Sequence, residues 1–252
     1  MSKLFDLSGK VAVVTGPNTG LGQAMAIALA EAGARIALVG RVEPDETVRI
    51  IESAGGECTV IMADLSSTDV IPGIIEKTVE ALGPIDILVN NAGIIRREDS
   101  VDFSEKDWDE VMSVNLRTPF FLAQAVARTM IADGRPGKII NTASLLSYQG
   151  GIRVPSYTAS KSGIAGITRL LANEWASKGI NVNAIVPGYF ATDNTKDLRA
   201  DPVRSAEILT RIPAGRWGEP SDLAGAAVFL ASPASDYVQG VLLPVDGGWL
   251  AR

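Results

Sequence analysis

The sequence predicts an α/β fold in which a doubly wound parallel sheet forms one domain, 1–252. Three observations lead to this prediction. Short runs of β-branched residues alternate with longer segments of helical period, a glycine-rich turn follows the first run, and no Pro/Ser-rich or low-complexity linker divides the 252 residues. Strand–helix alternation implies right-handed crossovers that cover both faces of a parallel sheet with helices. A chain of this length fits one large domain of that kind.

Six apolar runs have the pattern of strands, the first of them fully buried by pattern. The first, KVAVVT, consists mainly of Val and Thr, which favour strands. The predicted strands cover 10–15, 35–40, 59–64, 85–90, 137–144 and 180–188, and the run VLLPVDGG at 241–248 follows the last predicted helix.

The segments between these strands carry Ala, Leu and Glu at helical spacing, and the first two end in glycine. The predicted helices cover 21–34, 45–56, 68–82, 105–132, 157–178 and 221–231. Ligands of such sheets bind at the carboxyl ends of the strands, so these ends are the first place to search for function.

Composition argues against several functions. The net charge is −6 and no block of Lys or Arg is present, so no nucleic-acid partner is expected. No run of about 18 apolar residues predicts a membrane span, and the first ten residues lack the apolar region of a signal peptide. The lone Cys58 cannot form an internal disulfide, which fits a reducing cytoplasm. No metal site is expected.

The first strand ends in TGPNTGLG, 15–22. Gly16, Gly20 and Gly22 permit a tight turn and the close approach of a pyrophosphate to the N-terminus of the next helix. The spacing is G-x-x-x-G-x-G rather than G-x-G-x-x-G. A glycine-rich turn can be purely structural, but its position after the first strand favours cofactor binding.

Three further strand-end or helix features are less specific. NNAG (90–93) follows a strand, although Asn and Gly are common in turns. Ser144 ends another strand. Asn115 stands within the apolar segment VMSVNLRTPFF, where its amide either is satisfied locally or supports a site.

Tyr157 and Lys161 lie four residues apart in a predicted helix, in a chain without histidine. This spacing places them on one helix face, as in many solvated surface pairs. Lowering a tyrosine pKa from ~10 by roughly three units takes ~4 kcal/mol. A cation at about 4 Å, at an effective dielectric constant near 20, supplies ~4 kcal/mol. Lys161, aided by an oxidised nicotinamide, can therefore let Tyr157 act where histidine usually acts.

Together these motifs, in this order and over essentially the whole chain, resemble the short-chain dehydrogenases/reductases, which have a Rossmann fold. The resemblance implies that Tyr157 is the general acid/base and that Lys161 lowers its pKa and binds the nicotinamide ribose. It implies that Ser144 hydrogen-bonds the substrate oxygen and that Asn115 holds a water of the proton relay. The alternative of a non-enzymatic dinucleotide-sensing scaffold is disfavoured because Tyr, Lys and Ser are all present.

The resemblance also implies a cofactor half at about 1–143 and a catalytic and substrate half at about 144–252. In it, Asp64 would hydrogen-bond the adenine edge. The implied cofactor-binding set is Gly16, Asn18, Thr19, Gly20, Leu21, Gly22, Arg41, Asp64, Leu65, Asn91, Ala92, Gly93, Tyr157, Lys161, Pro187 and Gly188.

Several segments, among them NNAGIIRRED and RIPAGRWGEPSDLAG, resemble family members that oxidise deoxy sugar acids. An anionic sugar acid needs a cationic anchor, for which Arg96, Arg97 and Arg153 are candidates; Arg153 is preferred because it precedes Tyr157 by four residues. The expected substrate residues are Ser144, Arg96, Gln149, Arg153 and Tyr157. The alternative within the family, a 3-oxoacyl-carrier-protein reductase, would need a basic surface despite the net charge.

The choice between NAD and NADP depends on the end of the second strand, where NAD-specific sites usually carry an acid about 20 residues after the glycines. Gly40 and Arg41 stand there and favour NADP. Glu43 and Asp45 are close by, and the sugar-acid enzymes that the chain resembles generally use NAD. The prediction is a modest preference for NAD with measurable use of NADP.

The resemblance further implies a homotetramer in which the helices of 105–132 and 157–178 pair between subunits. Phe120, Phe121 and Trp175 supply aromatic surface there, with core packing as the alternative for each. The C-terminal GGWLAR is expected to reach toward a neighbouring subunit.

Overall fold

Seven parallel strands form one sheet in the computed structural model, which describes residues 3–252. The strands are β1 (Val11–Thr15), β2 (Arg35–Gly40), β3 (Cys58–Met62), β4 (Ile87–Asn90), β5 (Gly137–Thr142), β6 (Ile180–Pro187) and β7 (Leu242–Val245). Their spatial order is β3-β2-β1-β4-β5-β6-β7, and every adjacent pair is parallel. The predicted fold class is confirmed. The direction of winding reverses between β1 and β4, which opens a crevice at their carboxyl ends.

Nine α-helices lie within residues 3–252 and accompany the sheet. They are α1 (Gly20–Glu31), α2 (Asp45–Ser53), α3 (Ile71–Leu82), α4 (Glu105–Met112), α5 (Thr118–Ala132), α6 (Pro155–Trp175), α7 (Lys196–Ala200), α8 (Pro202–Arg211) and α9 (Ala224–Ala231). Helices α7 and α8 were not predicted from the sequence. They are short, mostly exposed and separated by Asp201, whose side chain caps α8, so they lack the long apolar periodicity that identifies a helix.

The predicted helix 105–132 is interrupted by a π-helical turn, Ser113–Arg117, between α4 and α5. Pro119 explains the interruption, since it has no N–H to donate to the carbonyl of Asn115 four residues earlier and its ring would clash with that carbonyl. The wider turn closes instead through the Thr118 N–H, which donates to the Ser113 carbonyl. π-Turns of this kind often occur at functional sites.

Alternate residues of the strands pack on opposite faces of the sheet. In β1, Val11 and Val13 join the apolar cluster under α3 and α5, whereas Ala12 and Val14 join the cluster under α1 and α9. A third cluster lies beneath the C-terminal part of the chain and includes Trp249. Most predicted strands are one or two residues longer than the observed ones. At their carboxyl ends the predictions include the first residues of the loops that carry the site. No helix within residues 3–252 is long and apolar enough to cross a membrane.

Candidate active site

A cleft of about 600 Å³ lies at the carboxyl ends of the central strands. Most of the predicted cofactor residues line it: Gly16, Asn18, Thr19, Gly20, Leu21, Gly22, Arg41, Asp64, Leu65, Asn91, Ala92, Gly93, Tyr157 and Lys161. Pro187 and Gly188, at the end of β6, do not line this cleft. The cleft also borders Thr192, Asp193 and Asn194, which sequence reasoning missed because they precede the unpredicted α7.

The glycine-rich turn between β1 and α1 has the geometry of an anion cradle. Gly16 and Gly20 have φ of 67° and 59°, values that favour glycine. A Cβ on Gly22 would collide with the carbonyl oxygen of Gly16 and with the side-chain nitrogen of Asn91. Thr19 precedes α1 without making a side-chain cap, so the first-turn N–H groups have no side-chain acceptor. The turn therefore fits the pyrophosphate of a dinucleotide, which can accept from these groups.

Side chains from neighbouring strand ends fix this turn from beneath. The Thr15 hydroxyl accepts from the backbone N–H of Asn91 at 2.9 Å and of Ala92 at 3.0 Å. The Asn91 amide donates to the carbonyls of Thr15 at 3.0 Å and Gly16 at 3.2 Å. Asn91 thus serves as a brace between β1 and β4, in addition to lining the cleft.

A second brace comes from α2 and was not predicted. The buried Thr47 hydroxyl donates to the Pro17 carbonyl at 2.7 Å and accepts from the Gln23 side chain at 3.0 Å. The available sequence signal was a Thr among the charged residues at the start of α2, which is weak by itself.

At the outer end of the cleft, β2 finishes with Gly40, followed by Arg41. Asp64 lies opposite, and its Oδ1 accepts from the Ser66 N–H at 3.0 Å. This hydrogen bond is the main cause that lowers the pKa of Asp64, with the Ser66 hydroxyl and the charge of Arg41 contributing less. Glu43 and Asp45 are not among the residues that line the cleft.

At the inner end, Tyr157 and Lys161 both project from the first turns of α6. The Lys161 ammonium lies 5.6 Å from the centre of the Tyr157 ring and donates to the Thr142 carbonyl at 2.6 Å. Burial lowers the pKa of Lys161 to about 8. Burial also raises the pKa of Tyr157, against smaller lowering effects of the Ser144 hydroxyl and the charge of Arg97.

The charge argument made from the sequence is therefore incomplete. It counted the attraction between a lysine cation and a tyrosinate but omitted the desolvation of the tyrosinate. In this structure desolvation is the largest effect on the pKa of Tyr157, and the Lys161 ammonium is held by a backbone carbonyl. A bound oxidised nicotinamide would supply the further positive charge.

Ser144 begins the short turn that follows β5, and its hydroxyl lowers the pKa of Tyr157. Its Oγ also accepts from the Leu146 N–H at 3.2 Å. The same turn is tied to α6 because the Ser147 hydroxyl donates to the Lys161 carbonyl at 2.6 Å. The two predicted hydroxyl groups are thus brought together by a rigid turn.

Asn115 lies behind the cleft rather than in it, in the π-turn. Its Oδ1 accepts from the Ile94 N–H at 2.8 Å, and its Nδ2 donates to the Ile94 carbonyl at 2.9 Å and to the Ser160 hydroxyl at 3.3 Å. The Ser160 hydroxyl donates in turn to the Tyr157 carbonyl at 2.9 Å. The amide therefore links the strand end after β4 to the helix that carries Tyr157.

Two of the three candidate arginines are paired with carboxylates. Arg96 lines the cleft but contacts Glu110 at 2.9 Å and Asp107 at 3.4 Å. Arg153 contacts Asp99 at 3.0 Å and is half exposed outside the cleft lining.

The reason for preferring Arg153, one helical turn before Tyr157, does not hold. Helix α6 begins at Pro155, and Arg153 precedes it with a φ of 62°. Arg97 instead donates to the Asn194 carbonyl at 3.0 Å, and its charge lowers the pKa of Tyr157. Among the three candidate arginines, Arg97 is therefore the one whose charge acts on Tyr157.

Gln149 does not line the cleft, and its side chain accepts a hydrogen bond from the Trp249 indole at 3.0 Å. The C-terminal segment was expected to reach toward another subunit. Trp249 of this segment is buried against its own chain, and the expected reach toward another subunit stays a prediction. Among residues 3–252 there is no group of three or more His, Cys, Asp or Glu side chains that could hold a metal ion.

Comparison with known proteins places this site in a family. The family model described as Enoyl-(Acyl carrier protein) reductase matches residues 16–250. The chain belongs to the short-chain dehydrogenase/reductase family, and it is an oxidoreductase that uses a nicotinamide cofactor.

Individual relatives narrow the comparison. The 2-dehydro-3-deoxy-D-gluconate 5-dehydrogenase of Escherichia coli (strain K12) is 63% identical over 98% of each chain. The enzyme of that name from Dickeya dadantii is 62% identical over 98% of each chain. A solved structure from Agrobacterium tumefaciens, a putative 2-deoxy-D-gluconate 3-dehydrogenase with bound NADP, is 59% identical, covers all of both chains and has a TM-score of 0.95.

Proposed function

We propose that this protein catalyses the reversible, nicotinamide-dependent oxidation of the C5 hydroxyl of 2-dehydro-3-deoxy-D-gluconate. The observation that carries the proposal is the placement of Tyr157 and Lys161 together at the inner end of a cleft that fits a dinucleotide. The Ser144 hydroxyl acts on Tyr157 from the turn after β5 and lowers the pKa of the tyrosine. The substrate follows from the names of relatives that are 63% and 62% identical over nearly the whole chain.

In this proposal Tyr157 exchanges a proton with the reacting oxygen, and Ser144 orients that oxygen by a hydrogen bond. The nicotinamide, when bound, accepts or returns the hydride. Lys161 holds the ribose and keeps a positive charge beneath Tyr157, which offsets part of the desolvation that raises the tyrosine pKa. These roles are supported by the positions of Tyr157 and Lys161 in the cleft lining and by the effect of the Ser144 hydroxyl on the pKa of Tyr157.

We propose that Asn115 contributes to the proton relay through its backbone. Its side-chain amide is committed to Ile94 and Ser160. Its carbonyl lacks the usual helical donor because Pro119 has no N–H. That carbonyl is the group that we expect to hold the relay water.

For the substrate carboxylate we propose Arg97 as the main anchor, with Arg96 secondary. Arg96 already contacts two carboxylates, and Arg153 contacts Asp99. Arg97 contacts the backbone carbonyl of Asn194, and its charge acts on Tyr157. An arginine fork that lacks a carboxylate partner is the better anchor for a new anion.

We propose NADP as the preferred cofactor. The sequence-based preference for NAD is not confirmed, and a solved relative contains bound NADP. Gly40 offers no carboxylate to repel a 2′-phosphate, and Arg41 lines that end of the cleft. Glu43 and Asp45, which were expected to weaken phosphate binding, lie outside the lining.

Two further proposals concern assembly and location. A homotetramer remains our expectation, supported by the exposure of Phe121 and Leu170, at 39% and 50%, on α5 and α6. Phe120 and Trp175 pack partly against the core. Light scattering tests the assembly, and a monomer at assay concentration would refute it. The proposed compartment is the cytoplasm.

The function is tested by incubating purified protein with NAD or NADP and a panel of compounds. The panel contains 2-dehydro-3-deoxy-D-gluconate and 2-deoxy-D-gluconate, for which formation of reduced cofactor is followed by absorbance. Acetoacetyl thioesters are supplied with NADH or NADPH instead, and loss of the reduced cofactor is followed. We expect the first compound to give the highest kcat/KM. Activity on thioesters alone would overturn the proposal in favour of a carrier-protein reductase, which the relatives named above do not favour.

A further inference from the structure

Trp249, three residues from the C-terminus, is only 3% exposed. Its ring lies 4.7 Å from the Tyr189 ring, and the Arg211 guanidinium stacks 3.9 Å from its centre. Its indole N–H donates to the Gln149 side-chain oxygen at 3.0 Å. One side chain of the C-terminal segment therefore contacts the last residue of α8 and the loop that follows Ser144.

The position of Trp249 is fixed by its own segment. The Asp246 carboxylate accepts from the N–H groups of Gly248 at 2.8 Å and Leu250 at 2.9 Å. Gly247 and Gly248 have φ of 64° and 90°, and the Gly247 carbonyl accepts from Ala214 at 2.9 Å. The indole is thus presented to Gln149 from a well-braced turn.

This contact determines which way the Gln149 amide faces. An indole N–H can only donate, so the carbonyl oxygen of the amide must face Trp249 and the NH₂ group must point away. Within residues 3–252 that NH₂ group donates to no protein acceptor. The Gln149 backbone N–H donates to the Leu145 carbonyl at 3.0 Å, which holds the residue on the turn that begins at Ser144. An oriented donor is therefore available on the turn that begins at Ser144.

We propose that Trp249 is a positioning residue that orients Gln149 so that its NH₂ group donates to hydroxyl or carboxylate oxygens of the sugar-acid substrate. This inference rests on the proposed function. Because Trp249 acts on substrate binding, its loss changes the KM for the sugar acid and leaves the KM for NADP unchanged.

The first test is Trp249→Phe, which keeps a ring against Tyr189 and Arg211 but removes the donor. We expect the KM for 2-dehydro-3-deoxy-D-gluconate to rise about 3- to 10-fold, the effect of one hydrogen bond, with little change in kcat. Trp217→Phe is the matched control. The Trp217 ring packs on Tyr189 at 5.7 Å, but its indole N–H donates to no group within the described chain. Equal KM values for the two variants would overturn the inference.

The second test is a double-mutant cycle. Gln149→Ala should raise the same KM about 10-fold, and adding Trp249→Phe should raise it no further. Additive effects would show that Trp249 acts by another route and would overturn the inference.

Gln149→Glu provides a second test in case the Trp249 variant fails to fold, because it leaves Trp249 in place and keeps an acceptor for the indole N–H. The second carboxylate oxygen of Glu repels an anionic substrate. The KM of the Gln149→Glu variant for the sugar acid should therefore exceed that of Gln149→Ala, with an unchanged Tm. A KM at or below the wild-type value overturns the inference. Wild-type protein without sugar-acid turnover would refute the proposed function and this inference together. An active wild type with unaffected variants would refute this inference alone.

Discussion

The two ends of the cleft are built differently. The cofactor end is a backbone cradle, made of the glycine turn 15–22 and braced by Thr15 and Asn91 at adjacent strand ends. The inner end depends on side chains that meet from different elements of the chain, such as Arg96 with Glu110 and Lys161 with the Thr142 carbonyl. A backbone cradle requires glycines at fixed positions in one short segment, so it can be recognised in the sequence. Side chains that meet from different elements produce no such local pattern. Binding of cofactor and reaction of substrate should accordingly be separable by mutation.

The largest expected effect comes from Tyr157→Phe. The substitution removes the proton donor but keeps the ring in place on α6, so turnover should fall by about 10²- to 10⁴-fold. NADP affinity, measured by fluorescence titration, should stay within about 2-fold, since most of the cradle lies elsewhere. Near-normal turnover by this variant would exclude the role assigned to Tyr157.

Gly22→Ala should weaken cofactor binding, in contrast to Tyr157→Phe, which should lower turnover and leave NADP affinity nearly unchanged. Its Cβ would meet the Gly16 carbonyl and the Asn91 side chain, and such overpacking costs about 1–3 kcal/mol of unfolding free energy. NADP affinity should fall by at least about 10-fold as the cradle shifts. Gly73→Ala in α3 is the matched control, because a Cβ there meets nothing within 4 Å. Equal NADP affinity in both variants would contradict the cradle.

Lys161→Met should stabilise the cofactor-free protein while it abolishes turnover. A folded-state pKa of about 8, against the ordinary lysine value of 10.5, means that burying the ammonium costs about 3 kcal/mol at pH 7. Loss of the hydrogen bond to Thr142 offsets about 1 kcal/mol of the gain. Chemical denaturation should therefore show the variant about 2 kcal/mol more stable at pH 7.

The pH dependence checks the sign of this effect. Between pH 8 and 10.5 the unfolded state binds more protons at this lysine than the folded state. The free energy of unfolding of the wild type should therefore increase with pH relative to that of the variant. The stability advantage of the variant should vanish at about pH 10 and reverse slightly above it, because the hydrogen bond to Thr142 remains when the cost of burying the charge is gone. A wild type that is more stable than the variant at pH 7 would show that the ammonium is not penalised by burial.

The smallest effect concerns Arg41→Ala. Loss of one charge-assisted contact to the 2′-phosphate should lower kcat/KM for NADP about 10-fold and leave that for NAD nearly unchanged. Arg49→Ala is the control, since Arg49 is exposed and pairs with Glu46 in α2. An unchanged NADP/NAD ratio in the Arg41 variant would remove Arg41 from the 2′ position.

Sequence reasoning found the fold and the local motifs because their signals are contiguous. Alternating strands and helices, TGPNTGLG and the Tyr157–Lys161 spacing each lie within a few turns of chain. The pKa of Tyr157 was misjudged because desolvation depends on packing that no local pattern contains. Helix α8 and the Trp249 contact were missed for the same reason, since both depend on a cluster assembled from β6, α8 and the C-terminal segment. Arg153 was preferred because it precedes Tyr157 by four residues, but the helix that carries Tyr157 begins only at Pro155.

The most direct measurement of the central claim uses 2-dehydro-3-deoxy-D-gluconate deuterated at C5, with NADP and wild-type protein. If the reacting hydroxyl lies at C5 beside Tyr157 and Ser144, the deuterium should be transferred to the nicotinamide ring, and mass spectrometry of the cofactor should show one added mass unit per turnover. Reduced cofactor without deuterium would place the reaction at another carbon, and no reduction of the cofactor would contradict the proposed activity.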